Sequence, residues 1–216
     1  MLYVQQDPLG AAVLIAFFLG LAFPIHEFAH AVAAVRLGDA TPRLFGRLTL
    51  NPIAHFDRIG GSILIISVLV AGIPFGFAQT PVNPRNLRGR HGDAIVAAAG
   101  PITNLLIAIA FAIPLRLASP EFMSQHLTVF EMVDLIVEYS LLLGLFNLIP
   151  VPPLDGGTIL LSYLSPQAAW QLRPIFSQYG MFILLLLIVP IVGGSSILET
   201  VLVPIVDVLH RLLVGF

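Results

Sequence analysis

The chain contains no cysteine among its 216 residues. Disulfides, iron–sulfur ligation and thiol catalysis are therefore excluded, and any bound metal must be held by His, Asp or Glu. Lysine is absent as well: all 10 basic residues are arginines, and against 12 acidic ones they leave a net charge of −2. No basic patch of the kind that gathers nucleic-acid phosphates is present. Charge of either sign is scarce, at 10% of residues, where a soluble domain carries about a quarter. Hydrophobic residues make up 57% instead. This balance points to a multi-span membrane protein, and a single domain over 1–216 is expected. The opening "MLYVQQDPLG" lacks the basic start of a secretory signal and no clear cleavage site follows, so it is read as part of the mature chain. No internal repeat, low-complexity tract or linker to a soluble domain is visible.

Crossing a bilayer takes roughly 20 apolar residues. Residues 9–37 exceed that and read as one helix, with Pro24 a candidate kink because a mid-helix proline loses a backbone hydrogen bond. "GDATPRLFGRLTLNP" (38–52) alternates polar and apolar residues and reads as a short strand or hairpin at the membrane surface. Residues 61–78 are ambiguous, because Gly72, Pro74 and Gly76 interrupt a short apolar core. Residues 94–118 and 131–149 read as spans, the latter continuing through a proline-rich break into a helix near 156–165. Two further spans are expected at 176–192 and 196–214. Arg36, Arg43, Arg47 and Arg58 precede the ambiguous segment and Arg85, Arg88 and Arg90 follow it. If it dips in and returns, both groups share one side, joined by Arg173 and Arg211, with Arg116 opposite. Cytoplasmic loops favour arginine, so the re-entrant reading is preferred, with the N-terminus outside and the C-terminus inside. The expectation is an all-α polytopic membrane protein of about five to six transmembrane helices, with a small β-hairpin and a re-entrant segment.

Against this apolar background, "HEFAH" (26–30) stands out. Ionisable groups at bilayer depth are costly and mark function. His26 and His30, at i and i+4, share a helix face and can grip one ion. Glu27 follows directly and can take a proton from water activated at the metal. Catalytic zinc takes a third protein ligand, and Asp155 in "FNLIPVPPLDGG" (146–157) is the best candidate. There Pro150, Pro152 and Pro153 break the helix between apolar flanks. Irregular backbone at that depth is tolerated where it is buried in protein or lines a wet cavity. The alternative role for Asp155 is a helix N-cap.

"HEFAH" together with "NLIPVPPLDGG" resembles the site-2 protease family of intramembrane zinc metalloproteases, over roughly residues 20–165. "NPIAHFD" (51–57), "PVNPRNLR" (81–88) and "AAGPITN" (98–104) resemble further motifs of its compact bacterial and archaeal branch, which has no PDZ or CBS domain. The resemblance implies one zinc per chain with His26, His30 and Asp155 as ligands and Glu27 as catalytic base. It also implies a substrate that is a transmembrane segment of another protein, cut in or near the bilayer, often to release a regulator. Cleavage is expected at the cell membrane, in a site opening to the arginine-rich, cytoplasmic side. Relatives often carry a Lys and a Trp near "GFAQTPVN", where this chain has Gln79 and Phe77, which leaves the role of that loop open.

Other polar residues have two readings each. Asn147 can donate to the substrate carbonyl or its oxyanion, or tie down backbone groups freed by the prolines. Asn104 can orient the site or join helices. His55 reads as an interfacial histidine or a group near the substrate. His91, His126 and His210 are assigned nothing, and "AAAG" (97–100) reads as a close-packing stripe. An unwound substrate could add as a strand to an edge offered by 38–52 or 61–78. The rival functions are a membrane metal-ion transporter and a non-catalytic membrane chaperone on the same fold. The sequence leaves oligomeric state open.

Overall fold

The computed structural model describes residues 3–71, 74, 76, 78–189 and 196–215. Its helices run in the order α1 (Tyr3–Gln6), α2 (Pro8–Phe17), α3 (Phe23–Arg36), α4 (Thr41–Leu44), α5 (Pro52–His55), α6 (Arg58–Ala71), α7 (Gly92–Leu117), α8 (Pro120–Gln125), α9 (Leu127–Asn147), α10 (Asp155–Tyr163), α11 (Pro166–Ile188) and α12 (Ile197–Val214). Among the described residues there is no strand.

The first long apolar run is one continuous rod of three parts. Asp7 caps it by accepting from Gly10 N at 2.8 Å, and Pro8 fits the first turn because its missing N–H would have no partner there. Between α2 and α3 lies a π-helical turn, Phe18–Ala22, closed by Phe23 N–H on Phe18 O. The cause sits next door. Pro24 has no N–H, and its ring crowds the carbonyl four residues back, so the helix widens just before it. Such wide turns concentrate at functional sites, and this one immediately precedes His26.

α7 is the hub, packing against α3, α9, α10 and α12. One core cluster joins Leu14, Phe17 and Phe18 to Leu64 and Val68 of α6; a second joins Ala108, Ala112 and Leu115 to Val137, Leu141 and Val206 of α7, α9 and α12. Small residues on α7 let its neighbours approach closely, the packing expected where lipid supplies no hydrophobic drive.

Among the described residues, three helical stretches are long and apolar enough to cross a membrane: Pro8–Arg36, Gly92–Leu117 and Pro166–Ile188. The expected spans at 131–149 and 196–214 correspond to α9 and α12, but α9 carries Glu131, Asp134 and Glu138, and α12 carries Glu199, Asp207 and Arg211. α11 begins ten residues before the expected 176, at Pro166, with Ser165 as its cap; residues 190–192 of that expected span lie outside the described residues.

The expected β-hairpin at 38–52 is corrected. Pro42 lies in the first turn of α4, Asn51 caps α5 by accepting from Ile53 N, and Gly38 and Gly46 take φ of 108° and 68°. The alternating residues follow two short helical turns and have no partner strand. In 61–78, α6 runs to Ala71, and residues 72, 73, 75 and 77 lie outside the described residues. Gly76 is back beside the start of α6: a methyl added there would meet Gly60 O at 2.7 Å and Leu64 Cβ at 2.6 Å.

Arg211 does not sit opposite Arg116. The Arg116 guanidinium, at the end of α7, donates to Leu212 O (2.7 Å) and Leu213 O (3.2 Å) at the end of α12. His210 pairs with Asp134, near the start of α9, at 2.8 Å. α12 therefore runs parallel to α7 and antiparallel to α9, and the two arginines share one end of the bundle.

Candidate metal centre

His26 and His30 project from one face of α3 toward α7 and the start of α10. Their Nε2 atoms lie 3.0 Å apart, and Asp155 Oδ2 is 3.2 Å from the first and 3.4 Å from the second. Both histidines are buried, at 6% and 7% exposure. Each part of this convergence has a local cause. The i, i+4 spacing stacks the imidazoles edge to face, with centroids 4.6 Å apart. On α7, Val96 O accepts His30 Nδ1–H at 2.7 Å. That bond leaves the His30 Nε2 lone pair free.

Asp155 is the first residue of α10, and Leu154 before it occupies the cap position. Asp155 is therefore not an N-cap; its carboxylate turns toward the histidines. The turn is tight, since side chains at Gly156 and Gly157 would collide with Leu148 O, Ile149 O and Pro152. At the other end of α10, Ser162 Oγ donates to Asp93 at 2.7 Å and the His91 ring stacks on Tyr163 at 4.5 Å. These contacts fix α10 along α7 and so set the depth of Asp155.

The donor set fits zinc. Two imidazole nitrogens and a carboxylate oxygen match the composition of a catalytic zinc site with one position left open. Asp155 Oδ2 is buried with no hydrogen-bond partner among the described residues, close though both imidazoles are. Acceptors converging in this way are costly to bury unless a cation joins them. Space is provided by Gly100, where an added Cβ would lie 2.5 Å from Nε2 of both His26 and His30.

Around these atoms lies a cavity of about 380 Å³. Glu27, the neighbour of His26, lines it at 5% exposure, and its Oε2 also lacks a partner among the described residues. Asn147 lines the opposite wall, and its Nδ2 donates to Leu143 O at 3.0 Å. The segment 78–82 forms a third wall, anchored where Thr80 Oγ1 donates to Glu27 O at 3.0 Å. Gln79 is part of that wall; Phe77 lies outside the described residues. His55 is not among the residues lining the cavity: it is buried and borders a separate small pocket with Phe23 and Pro24, its Nε2 facing Thr49 O at 2.6 Å.

Two contributors have roles the motifs do not show: Gly100, read only as part of a close-packing stripe, and the backbone of Val96. Asn104, left open by the sequence, is fully buried with its amide nitrogen 2.9 Å from His26 Nδ1. The signal was the spacing: Val96, Gly100 and Asn104 recur every four residues and so line one face of α7.

A buried His–His–Asp cluster beside an unpaired glutamate, in a helical and strongly apolar chain, defines an intramembrane metallopeptidase. The chain belongs to peptidase family M50, the site-2 protease family, whose model matches residues 114–189. It is 34% identical to YwhC of Bacillus subtilis over 87% of this chain and 85% of that protein. It is 30% identical to Rip2 of Mycolicibacterium smegmatis over 76% of this chain and 62% of the relative. It is 32% identical to Rip3 of Mycobacterium tuberculosis over 72% of this chain and 30% of the relative. All three are named as candidate zinc metalloproteases. No solved structure gives a significant match. The protein is thus a membrane zinc metalloprotease.

Proposed function

We propose that this protease hydrolyses peptide bonds in or near the transmembrane segments of other membrane proteins, in regulated intramembrane proteolysis, with one zinc held by His26, His30 and Asp155. The observation that carries the reading is the meeting of three acceptor atoms at 3.0–3.4 Å inside a chain that is 57% hydrophobic. Bound there, zinc supplies Lewis acidity, polarising the scissile carbonyl and acidifying water.

The remaining work falls to side chains. Glu27, with an unpaired oxygen facing the cavity, accepts the proton of the attacking water and returns it to the leaving amine. Asn147 spends one N–H on Leu143 O; an amide nitrogen has two, and the second is available to the oxygen of the scissile carbonyl as it gains charge. Phe23, Leu143, Phe146 and Met181 give the cavity an apolar wall suited to a locally unwound membrane segment.

We further propose that residues 1–216 act as one domain in the cell membrane. α9 and α12 join the three apolar stretches in the membrane, α12 ending on the side where α7 ends, and 61–78 enters and leaves on one face. The return of the chain to Gly60 and Leu64 by Gly76 supports the last point. The cavity then opens toward the end bearing Arg36, Arg85, Arg88 and Arg90, the cytoplasmic side by the positive-inside rule. No observation favours a transporter: Asp134, Glu138 and Asp207 are not among the cavity residues.

Metal analysis of the purified protein tests the ligand set. One zinc per chain is expected, lost in Asp155→Ala and in His26→Ala. Full zinc occupancy in Asp155→Ala would remove Asp155 from the set.

A further inference from the structure

His26 can ligate zinc through Nε2 only if its proton sits on Nδ1, and something must accept that proton in a dry site. For His30 the acceptor is Val96 O. For His26 the polar side chain found at Nδ1 among the described residues is Asn104, whose amide nitrogen lies 2.9 Å away. Two donors facing one another would be repulsive, so with the nitrogen there His26 Nδ1 must be the acceptor and Nε2 must carry the proton. That proton would point at His30 Nε2 and Asp155 Oδ2. Such a state closes the site against a metal. Meanwhile Asn104 Oδ1 is buried with no hydrogen-bond partner among the described residues. Leaving such a group unpaired costs about 1–3 kcal/mol. The oxygen and nitrogen of an amide occupy interchangeable positions, and the network decides between them.

We infer that Asn104 is a positioning residue for zinc: turned by half a rotation, its side-chain oxygen accepts Nδ1–H of His26 and fixes the tautomer whose Nε2 binds metal. The rotation gives the oxygen a partner in His26 Nδ1–H, moves the amide nitrogen to the position the oxygen leaves, and aims the His26 Nε2 lone pair at the cluster. Asn104 lies one turn beyond Gly100 and two beyond Val96, so one face of α7 holds both histidines: Val96 O sets His30, Asn104 Oδ1 sets His26, and Gly100 leaves the room between them. The inference rests on His26 being a ligand, as proposed above.

The test compares the full chain with Asn104→Asp, which can accept but not donate, and Asn104→Leu, which can do neither. Zinc affinity is read by competition with a chromophoric chelator, and heat stability is read on the metal-stripped proteins. Loss of the outer partner of a metal-bound histidine weakens binding roughly 10–100-fold. That loss is expected for Asn104→Leu, with affinity close to wild type in Asn104→Asp. Heat stability of the metal-free leucine variant shows whether a loss of zinc affinity comes from unfolding. Wild-type affinity in Asn104→Leu would overturn the inference and leave a helix-joining role. Equal losses in both variants would overturn it too, by showing that the N–H matters rather than the oxygen. If the leucine variant does not fold, the aspartate variant decides alone: retained affinity supports the inference and lost affinity contradicts it. His26→Ala is the control for the underlying reading. Wild-type zinc affinity there would fail the ligand assignment itself, whatever Asn104 does.

Discussion

Gly100 matters for the side chain it lacks. A Cβ at that position would come within 2.5 Å of Nε2 of both histidines, closer than carbon and nitrogen approach without displacing one another. Gly100→Ala therefore forces the imidazoles apart or pushes α7 off α3, at an overpacking cost of about 1–3 kcal/mol. Two results are expected: a lower melting temperature for the metal-free protein, and weaker zinc binding in a chelator competition. Wild-type values in both would mean that the histidines have room the geometry does not give them. At this scale the sequence was informative for side chains that announce chemistry. His26, Glu27 and His30 form a motif, and Asp155 follows a run of prolines that has no ordinary place in a membrane helix. Gly100 was legible only as part of a close-packing stripe, and Val96 not at all, because a missing side chain and a backbone carbonyl announce no chemistry of their own. Their spacing acquires meaning only once α7 is known to face α3.

Helix ends and turns deliver these atoms. The wide turn Phe18–Ala22 prepares the face bearing His26, and the tight start of α10 turns Asp155 inward. The wall formed by 78–82 is held from behind by Asp39, at the exit of α3. Its carboxylate accepts from Thr41 Oγ1 (2.6 Å), Asn83 N (2.7 Å) and Asn86 Nδ2 (3.0 Å). Burial pushes the Asp39 carboxyl upward, but hydrogen bonds from Thr41, Asn83 and Asn86 outweigh it and hold it below the usual carboxylate value of 3.8. A depressed folded-state pKa stabilises the clamp fully above the unfolded value, and that stability is lost as pH falls through the folded one. The segment 79–88 should thus resist protease at neutral pH and become cleavable below the ordinary carboxylate range, while Asp39→Ala should make it cleavable at neutral pH. Equal resistance in wild type and Asp39→Ala would show that Asp39 does not hold this wall. The sequence reading failed on the neighbouring 38–52 for a physical reason. Alternating polarity signals a half-buried strand only when another strand is there to pair with it, and here Pro42 and Asn51 each start a helical turn instead.

Arginines decide how the whole molecule sits in a bilayer. Hydropathy supports three candidate spans among the described residues, while α9 and α12 carry carboxylates along their length and answer them partly with each other, as in the His210–Asp134 pair. Periodicity could show that these were helices; it could not show that Arg116 closes the end of α12, which depends on a contact between residues 96 positions apart. The arrangement predicts the outcome of labelling this cysteine-free chain with a membrane-impermeant thiol reagent. Cysteines placed at Arg43 and Arg85 should react from one side, and cysteines at Ser119 and Gly215 from the other. Reaction of Arg43→Cys and Arg85→Cys from opposite sides would mean that 61–78 crosses fully. The proposed chemistry turns on one proton transfer at one carboxylate, so the most direct test is the cleavage of a single-span membrane protein by Glu27→Gln beside wild type, at equal zinc content. The amide preserves shape and removes the base, and the account predicts a rate lower by about 10²–10⁴-fold or more with zinc retained. Cleavage at the wild-type rate would contradict it.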